Sequence, residues 1–252
     1  MEKVDRLGWT EGFSFLAYGA LFGIRTNDAE ILEPLKELVM SLEWSLSDES
    51  VVDSLVSVRV GPPARRGRKN YHLLYWGAGR LMRTLDLNEI MEFFQERFKG
   101  IAQQFSPNDL FIPGAVVSHN DRHLVLPAQV DSGLNELLEA LEGRGASCLT
   151  RNVFGISDSG GLKGENGHDL VDAKNVLVVF TEHSKRNKTL RGRAISPGNA
   201  ALLLLGSGVG VASRAQKALS TVAAFSQRVE SLKGKRGEAQ QAADYLLKKL
   251  SS

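Results

Sequence analysis

The feature that most constrains the fold is residues 123–143, with the sequence HLVLPAQVDSGLNELLEALEG. Its first four residues are an apolar run that predicts a strand, and residues 127–132 predict a turn. From Gly133 onwards, leucines at positions 134, 137, 138 and 141 have helical spacing. The chain therefore has to place a strand, a tight loop and a helix in immediate succession, and the other segments have to pack around them.

A strand, a tight loop and a helix form the local arrangement of a phosphate-binding loop, whose sequence pattern is GxxxxGK[ST]. Aligned with that pattern, Ala128 takes the place of the first glycine and Gly133 that of the second. Leu134 stands where the lysine would neutralise the phosphates, and Asn135 stands where a hydroxyl would bind Mg²⁺. The pattern therefore keeps the shape of a phosphate loop and lacks most of its chemistry.

Acidic and polar residues indicate what the loop does instead. Asp131 or Ser132 is expected at the helix N-cap, where a side-chain oxygen accepts hydrogen bonds from the first N–H groups. An aspartate there would also repel a phosphate, and the helix adds Glu136, Glu139 and Glu142. We interpret the segment as a self-capped structural turn that holds no nucleotide.

Composition excludes several classes of protein. The chain has 252 residues, 42% hydrophobic and 24% charged, which is ordinary for a globular protein. A net charge of +2 gives no global basic field, so nucleic acid is an unlikely partner. Cys148 is the one cysteine, which excludes a disulfide framework and favours a reducing cytoplasm. No apolar run reaches the roughly 18 residues of a membrane span, and no secretory signal layout is present.

The N-terminal part of the chain has the pattern of a small α+β subdomain, which we place at residues 1–106. Aromatic-rich or alternating runs predict strands at residues 13–25, 51–60, 71–76 and 80–85. Apolar residues at helical spacing predict helices at residues 29–42 and 87–105.

The remaining residues, 107–252, contain the strand–loop–helix unit and are predicted to form an α/β core. Further strands are predicted at residues 109–118, 146–150 and 175–180, and the last two helices at about 211–225 and 237–250. Residues 157–168 are glycine-rich without apolar periodicity, so we expect a mobile loop.

Four segments, in their order and spacing, resemble a known group of bacterial proteins. They are LFIPGAVVS, LVLPAQVDSGLNELLEAL, RGASCLTRNVF and KGKRGEAQQAADYLL. They are similar to the segments that surround the phosphate loop in proteins related to HPr kinase/phosphorylase, and the last is similar to that family's C-terminal helix. The resemblance implies a phosphoenolpyruvate carboxykinase-like P-loop core, preceded here by the α+β subdomain and closed by C-terminal helices.

The chain departs from that family at the residues that would carry phosphoryl transfer. The family's loop lysine corresponds to Leu134, its metal-binding hydroxyl to Asn135 and the histidine before the loop to Pro113. Its acidic pair corresponds to Arg151 and Asn152. Loss of a single such group typically costs orders of magnitude in rate. The resemblance therefore implies a degenerate member, a pseudokinase with no catalytic residues, no cofactor and no metal.

The resemblance also gives an expectation about geometry: Arg151 would lie beside the loop and pair with Asp131. The function expected is that of a protein-binding, scaffolding or regulatory subunit. An ATP-sensing protein without phosphoryl transfer is a first alternative, and a protein-serine kinase or phosphorylase with non-standard residues is a second.

Protein partners, acidic ones among them, would contact exposed basic or glycine-rich segments, and the oligomeric state stays open. The first basic segment holds Arg65, Arg66, Arg68 and Lys69, and the second holds Lys185, Arg186, Lys188, Arg191 and Arg193. The third candidate is the glycine-rich loop from Ser157 to His168. Two other groupings are interpreted as structural: His119 with His123 across a turn, and Ser157 with Asp158, for which no histidine completes a triad.

Overall fold

The computed structural model describes residues 3–62, 69–128, 133–184 and 189–251. The chain divides into two compact units, Met1–Pro107 and Asn108–Ser252. Each unit has its own sheet with both parallel and antiparallel strand pairs. The α/β class predicted from the sequence is therefore confirmed.

The first unit is a six-stranded sheet with helices on one face. Its strands are β1 (Glu11–Ala17), β2 (Ala20–Thr26), β3 (Ser45–Ser47), β4 (Ser54–Arg59), β5 (His72–Trp76) and β6 (Gly79–Thr84). The strand order is β3-β1-β2-β4-β5-β6, and β2 and β4 are parallel. The two α-helices are α1 (Leu32–Ser41) and α2 (Leu87–Ala102).

The single strand predicted for residues 13–25 is wrong, because this segment is a hairpin of β1 and β2. Tyr18 and Gly19 form the turn with φ values of 53° and 77°. Left-handed conformation at two successive residues matches the twist of a two-residue hairpin. The sequence hid the turn because both strands are apolar up to its edges and a tyrosine occupies its first position.

Aromatic side chains form the core of the first unit. Phe98 of α2 is fully buried and contacts aromatic residues of the sheet. Its ring centroid lies 6.0 Å from that of Phe15, 5.9 Å from that of Phe22 and 5.3 Å from that of Trp76. The helices therefore cover the face of the sheet that carries these rings.

The second unit is a nine-stranded mixed sheet between two pairs of helices. Its strands are β7 (Asp109–His119), β8 (Arg122–Pro127), β9 (Ser147–Thr150), β10 (Val153–Ser157), β11 (Leu162–Lys163), β12 (Asp169–Val171), β13 (Val176–His183), β14 (Arg193–Ala194) and β15 (Glu230–Arg236). Their order is β12-β11-β10-β7-β8-β13-β15-β14, with β9 paired to β7. Its helices are α3 (Leu134–Glu142), α4 (Pro197–Ser207), α5 (Ala215–Ser226) and α6 (Ala239–Leu250).

Apolar clusters cover both faces of this sheet. One cluster joins α4 and α5 to the sheet through buried residues such as Leu204, Val222 and Phe225. The other joins α3 and α6 through residues such as Leu138 and Leu246. Covering both faces explains why the central strands are apolar along their whole length.

Parts of this unit differ from the sequence-based predictions. Strands β10, β12, β14 and β15 were not predicted, and β15 gave no signal because its sequence ESLKGKR is polar and contains a glycine. The segment at 157–168, for which a mobile loop was expected, contains β11 and is hydrogen-bonded to α5. Helix α5 begins at Ala215, four residues after the predicted start. By contrast, the turn predicted at residues 119–122 is confirmed, with Asn120 and Asp121 at φ values of 50° and 58°.

None of the helices in the described part of the chain is both long and apolar enough to cross a membrane.

Candidate phosphate-loop site

Three parallel strands end beside the loop at residues 128–133. Strand β8 leads into the loop, β13 lies parallel to β8, and β15 lies parallel to β13. In open α/β sheets, ligands bind at the carboxyl ends of parallel strands. Helix α3 starts directly after the loop, so its N-terminal N–H groups lie at this edge. The predicted strand and helix, on either side of residues 128–133, therefore lie at the carboxyl-terminal edge of these parallel strands.

Gly133 is the N-cap of α3, so the expectation that Asp131 or Ser132 occupies this position is wrong. Its φ of 57° and ψ of 39° are left-handed, a conformation that glycine adopts without steric cost. Gly133 has no side chain to accept a hydrogen bond, and no side-chain cap is present within the described residues. Asp131 and Ser132 themselves lie outside those residues.

Leu134 and Asn135, in the places of the lysine and the metal-binding hydroxyl, begin α3. Leu134 is half-buried and packs against the apolar cluster that α3 and α6 share. Asn135 is exposed. The side chain in the lysine position is therefore part of the core and adds no positive charge to the loop.

A buried arginine that the sequence analysis missed reaches the loop from β15. Arg236 is 2% exposed, and its Nη2 donates a hydrogen bond to the carbonyl oxygen of Gly133. Its Nη1 donates to the carbonyl oxygen of Gly237 at 3.3 Å. The backbone carbonyl of Arg236 in turn accepts from the N–H of Ser184 at 2.8 Å, which ties the ends of β13 and β15 together.

The carboxylate of Glu136 lies beside this guanidinium. A Cβ atom placed on Gly133 would be 2.8 Å from Arg236 Nη2 and 3.2 Å from Glu136 Oε2. Burial lowers the pKa of Arg236, and the negative charge of Glu136 opposes that change. The chain's own cation and anion therefore both lie beside Gly133, the N-cap of α3.

Pro113, in the place of the family's histidine, lies in β7, and Arg151 and Asn152, in the places of its acidic pair, lie in the bend between β9 and β10. The N–H of Ala128 donates to the carbonyl oxygen of Pro113 at 2.8 Å. The N–H of Gly114 donates to the carbonyl oxygen of Asn152 at 2.9 Å. The fold thus brings Pro113, Ala128 and Asn152 to one edge of the sheet by backbone hydrogen bonds.

Arg151 bonds to α3. Its Nη2 lies 2.8 Å from Oε1 and 2.7 Å from Oε2 of Glu142. This hydrogen bond and the charge of Glu142 raise the pKa of Arg151. The ion pair predicted between Arg151 and Asp131 involves a residue outside the described ranges, and the partner that the structure gives Arg151 is Glu142.

Cys148 is half-buried on β9, and its thiol donates to the carbonyl oxygen of Thr150 at 3.4 Å. Burial raises its pKa, whereas the positive charge of Arg151 lowers it by a smaller amount. This balance favours the thiol over the reactive thiolate.

Asp158 of the glycine-rich segment holds that segment on α5. Its Oδ1 accepts from the hydroxyl of Thr221 at 2.7 Å, and its Oδ2 lies 2.8 Å from Nζ of Lys217. The carbonyl oxygen of Ser159 accepts from Arg228 at 2.7 Å. These contacts give Asp158 a structural role.

The other residues singled out from the sequence lie apart from the loop. His119 contacts Asn120 in the β7–β8 turn, and His123 follows on β8. Within the described ranges, no three His, Cys, Asp or Glu side chains are grouped to hold a metal ion. The two basic segments fall largely outside those ranges, at residues 63–68 and 185–188.

Comparisons with family models, with curated proteins and with solved structures found no match to this chain.

Proposed function

We propose that the chain is a catalytically inactive HPr kinase-like protein, a pseudokinase, that acts as a protein-binding, scaffolding or regulatory subunit. The proposal starts from the resemblance of four sequence segments to that family. The chain order of β7, β8 and α3 supports the proposal, and so does the start of α3 beside the carboxyl ends of the parallel strands β8, β13 and β15.

The observation that carries the proposal is the hydrogen bond from the buried Arg236 to the carbonyl oxygen of Gly133, the N-cap of α3. In a working phosphate loop, backbone N–H groups and a mobile lysine face a bound anion. Here the residue in the lysine position packs in the core, and a buried guanidinium is held on the loop's own glycine carbonyl. Glu136 adds a negative charge where phosphate would enter. Transfer of a phosphoryl group needs positive charge around its equatorial oxygens. Here the guanidinium of Arg236 donates its hydrogen bonds to two backbone carbonyl oxygens instead.

Phosphoryl transfer is the activity to test first. The full chain is incubated with radiolabelled ATP and Mg²⁺, and both label transfer and phosphate release are measured. We expect neither above the protein-free control. The double variant Leu134→Lys with Asn135→Ser should also stay inactive, because Arg151 and Asn152 replace the acids that position the metal. Magnesium-dependent turnover by the wild-type chain would contradict the proposal.

The subunit role is tested separately by isolating the chain from its native cell. We expect a defined protein to co-purify in a fixed ratio and to stay bound when ATP is added. A nucleotide sensor would instead release or recruit its partner on ATP addition, so that result would favour the ATP-sensing alternative.

A further inference from the structure

One face of the first sheet carries arginines in register across four strands. Arg25 of β2 lies opposite Ser57 of β4, and Ser57 lies opposite Tyr75 of β5. Tyr75 in turn lies opposite Arg80 of β6. The neighbouring Val56 lies opposite Trp76, whose ring contacts Phe98 of α2, so Val56 faces the helix-covered side of the sheet. Because successive side chains of a strand alternate, this row lies on the face away from the helices.

A second row runs parallel to the first. Arg59 of β4 lies opposite Leu73 of β5, and Leu73 lies opposite Arg83 of β6. Arg80 and Arg83 are three residues apart, so a regular strand would turn them to opposite faces. A register shift in the β5–β6 pairing brings both arginines to the same face. Arg80 lies opposite Tyr75 and Arg83 opposite Leu73, and these two residues share one face of β5. Bulges of this kind redirect side chains.

Most of the charge on this arginine face (Arg25, Arg59, Arg80 and Arg83) is uncompensated. Arg25 pairs with Asp5 at 3.0 Å. Within the described residues, Arg59, Arg80 and Arg83 form no ion pair, and the buried Nε of Arg59 has no hydrogen-bond partner.

The guanidinium of Arg83 is pre-oriented. It lies over the ring of Tyr71, with its central carbon 3.6 Å from the ring centroid. Stacking on a ring leaves the N–H groups at the guanidinium edge available, in a geometry that suits two oxygens of one acid group. Arg80 and Arg83 are both exposed.

Strand β6 is also the outer strand of its sheet. Its outer N–H and C=O groups can therefore pair with an additional extended chain. Leu81, between the two arginines, is 45% exposed. A chain lying along β6 would thus meet backbone groups, an apolar side chain and two cations.

We infer that the arginine face binds an extended acidic segment of a partner protein, which lies along β6 with its carboxylates on Arg80 and Arg83. Opposite charges on neighbouring strands stabilise such a pairing. The outer edge of β6 offers backbone N–H and C=O groups that an extended peptide can pair with and a nucleic acid cannot. The arginine face also carries the rings of Tyr71 and Tyr75, so the test has to separate a peptide from single-stranded nucleic acid. The small net charge of +2 is also weak for a nucleic-acid binder.

This inference deepens the proposed subunit function by naming the chemistry of the partner. It concerns the first unit, whereas the absence of phosphoryl transfer concerns the loop of the second. If peptide binding fails, the pseudokinase proposal is unaffected. If the chain turns over ATP, the peptide-binding measurement still decides whether the arginine face binds an acidic segment.

The test uses the full chain and a fluorescein-labelled peptide, about as long as β6, in which glutamate alternates with threonine. Fluorescence anisotropy measures its binding. We expect saturable binding that weakens as salt is added, and at least about tenfold weaker binding for Arg80→Glu and for Arg83→Glu. The matched control is Arg97→Glu, which makes the same charge change on the exposed side of α2 and should stay within about twofold of wild type. Far-UV circular dichroism checks that each variant is folded.

Three results would overturn the inference. The first is no binding of the glutamate peptide to the wild-type chain. The second is equal weakening by the Arg97 control, which would indicate a non-specific charge effect. The third is tighter binding of a single-stranded oligothymidine than of the peptide, which would assign the arginine face to nucleic acid.

Discussion

Replacing Arg236 with methionine tests whether this buried arginine holds the loop of the second unit. Methionine keeps the apolar stem and removes the guanidinium, so the carbonyl of Gly133 loses its donor. Hydrogen bonds from a charged donor contribute about 1.5–3 kcal/mol each, and Arg236 makes one such bond to each of two carbonyls. Removing the guanidinium also removes the cost of burying its charge, which offsets part of the lost hydrogen-bond energy. We expect a net loss of about 3 kcal/mol in the free energy of unfolding.

The assay is urea unfolding followed by two signals. All three tryptophans, Trp9, Trp44 and Trp76, belong to the first unit, so their fluorescence reports that unit alone. Far-UV circular dichroism reports both units, and the destabilisation by Arg236→Met should appear only there. For a unit of this size, the loss corresponds to a fall in Tm of about 6–12 °C.

The control is Arg228→Met, which removes an exposed guanidinium with one bond to a backbone carbonyl in the same unit. It should cost less than about 1 kcal/mol. A loss for Arg236→Met no larger than that of the control would refute the idea that Arg236 holds the loop.

Three further predictions concern stability. Gly133→Ala should cost about 1–2 kcal/mol in urea unfolding, because an alanine would have to adopt the left-handed φ and would displace Arg236. An unchanged stability would contradict the left-handed conformation of Gly133. Phe98→Ala should cost about 3–5 kcal/mol in tryptophan-detected unfolding, since it empties the aromatic core. Burial lowers the pKa of His123 below 6.5 in the fold, so the unfolded chain binds the proton more readily. The free energy of unfolding should therefore fall as pH drops through about 6.5 and level off below the folded pKa. His123→Asn should flatten that decline, and an unchanged pH profile in this variant would refute the prediction.

The sequence was most informative where local pattern and tertiary structure agree. The leucine spacing of α3 predicted both the helix and its buried face, because Leu137, Leu138 and Leu141 pack inward. Asn120 and Asp121 predicted the β7–β8 turn, since both residue types tolerate left-handed conformation.

Other elements could not be read from local pattern. Strand β15 is held by pairing with β13 and β14, and these partners are distant in sequence. Its polar residues are tolerated because alternate positions along it are exposed. Arg236 lies in the segment KGKRGEAQQAADYLL, which was compared with a C-terminal helix. Its role at Gly133 was missed because the contact joins residues 103 positions apart.

The N-cap of α3 shows a different limit. Asp131 and Ser132 are favourable capping residues, but the helix begins after the left-handed Gly133. Boundaries within a residue or two depend on backbone geometry that side-chain preference alone does not determine.

Calorimetric titration of the full chain with ATP and Mg²⁺ tests the central claim most directly. Because Arg236 and Glu136 lie beside Gly133 and the half-buried Leu134 packs against the apolar cluster, we expect no heat of binding beyond dilution at millimolar nucleotide. Saturable, magnesium-dependent binding that Arg236→Met abolishes would show that the arginine is a phosphate ligand, and would contradict the account.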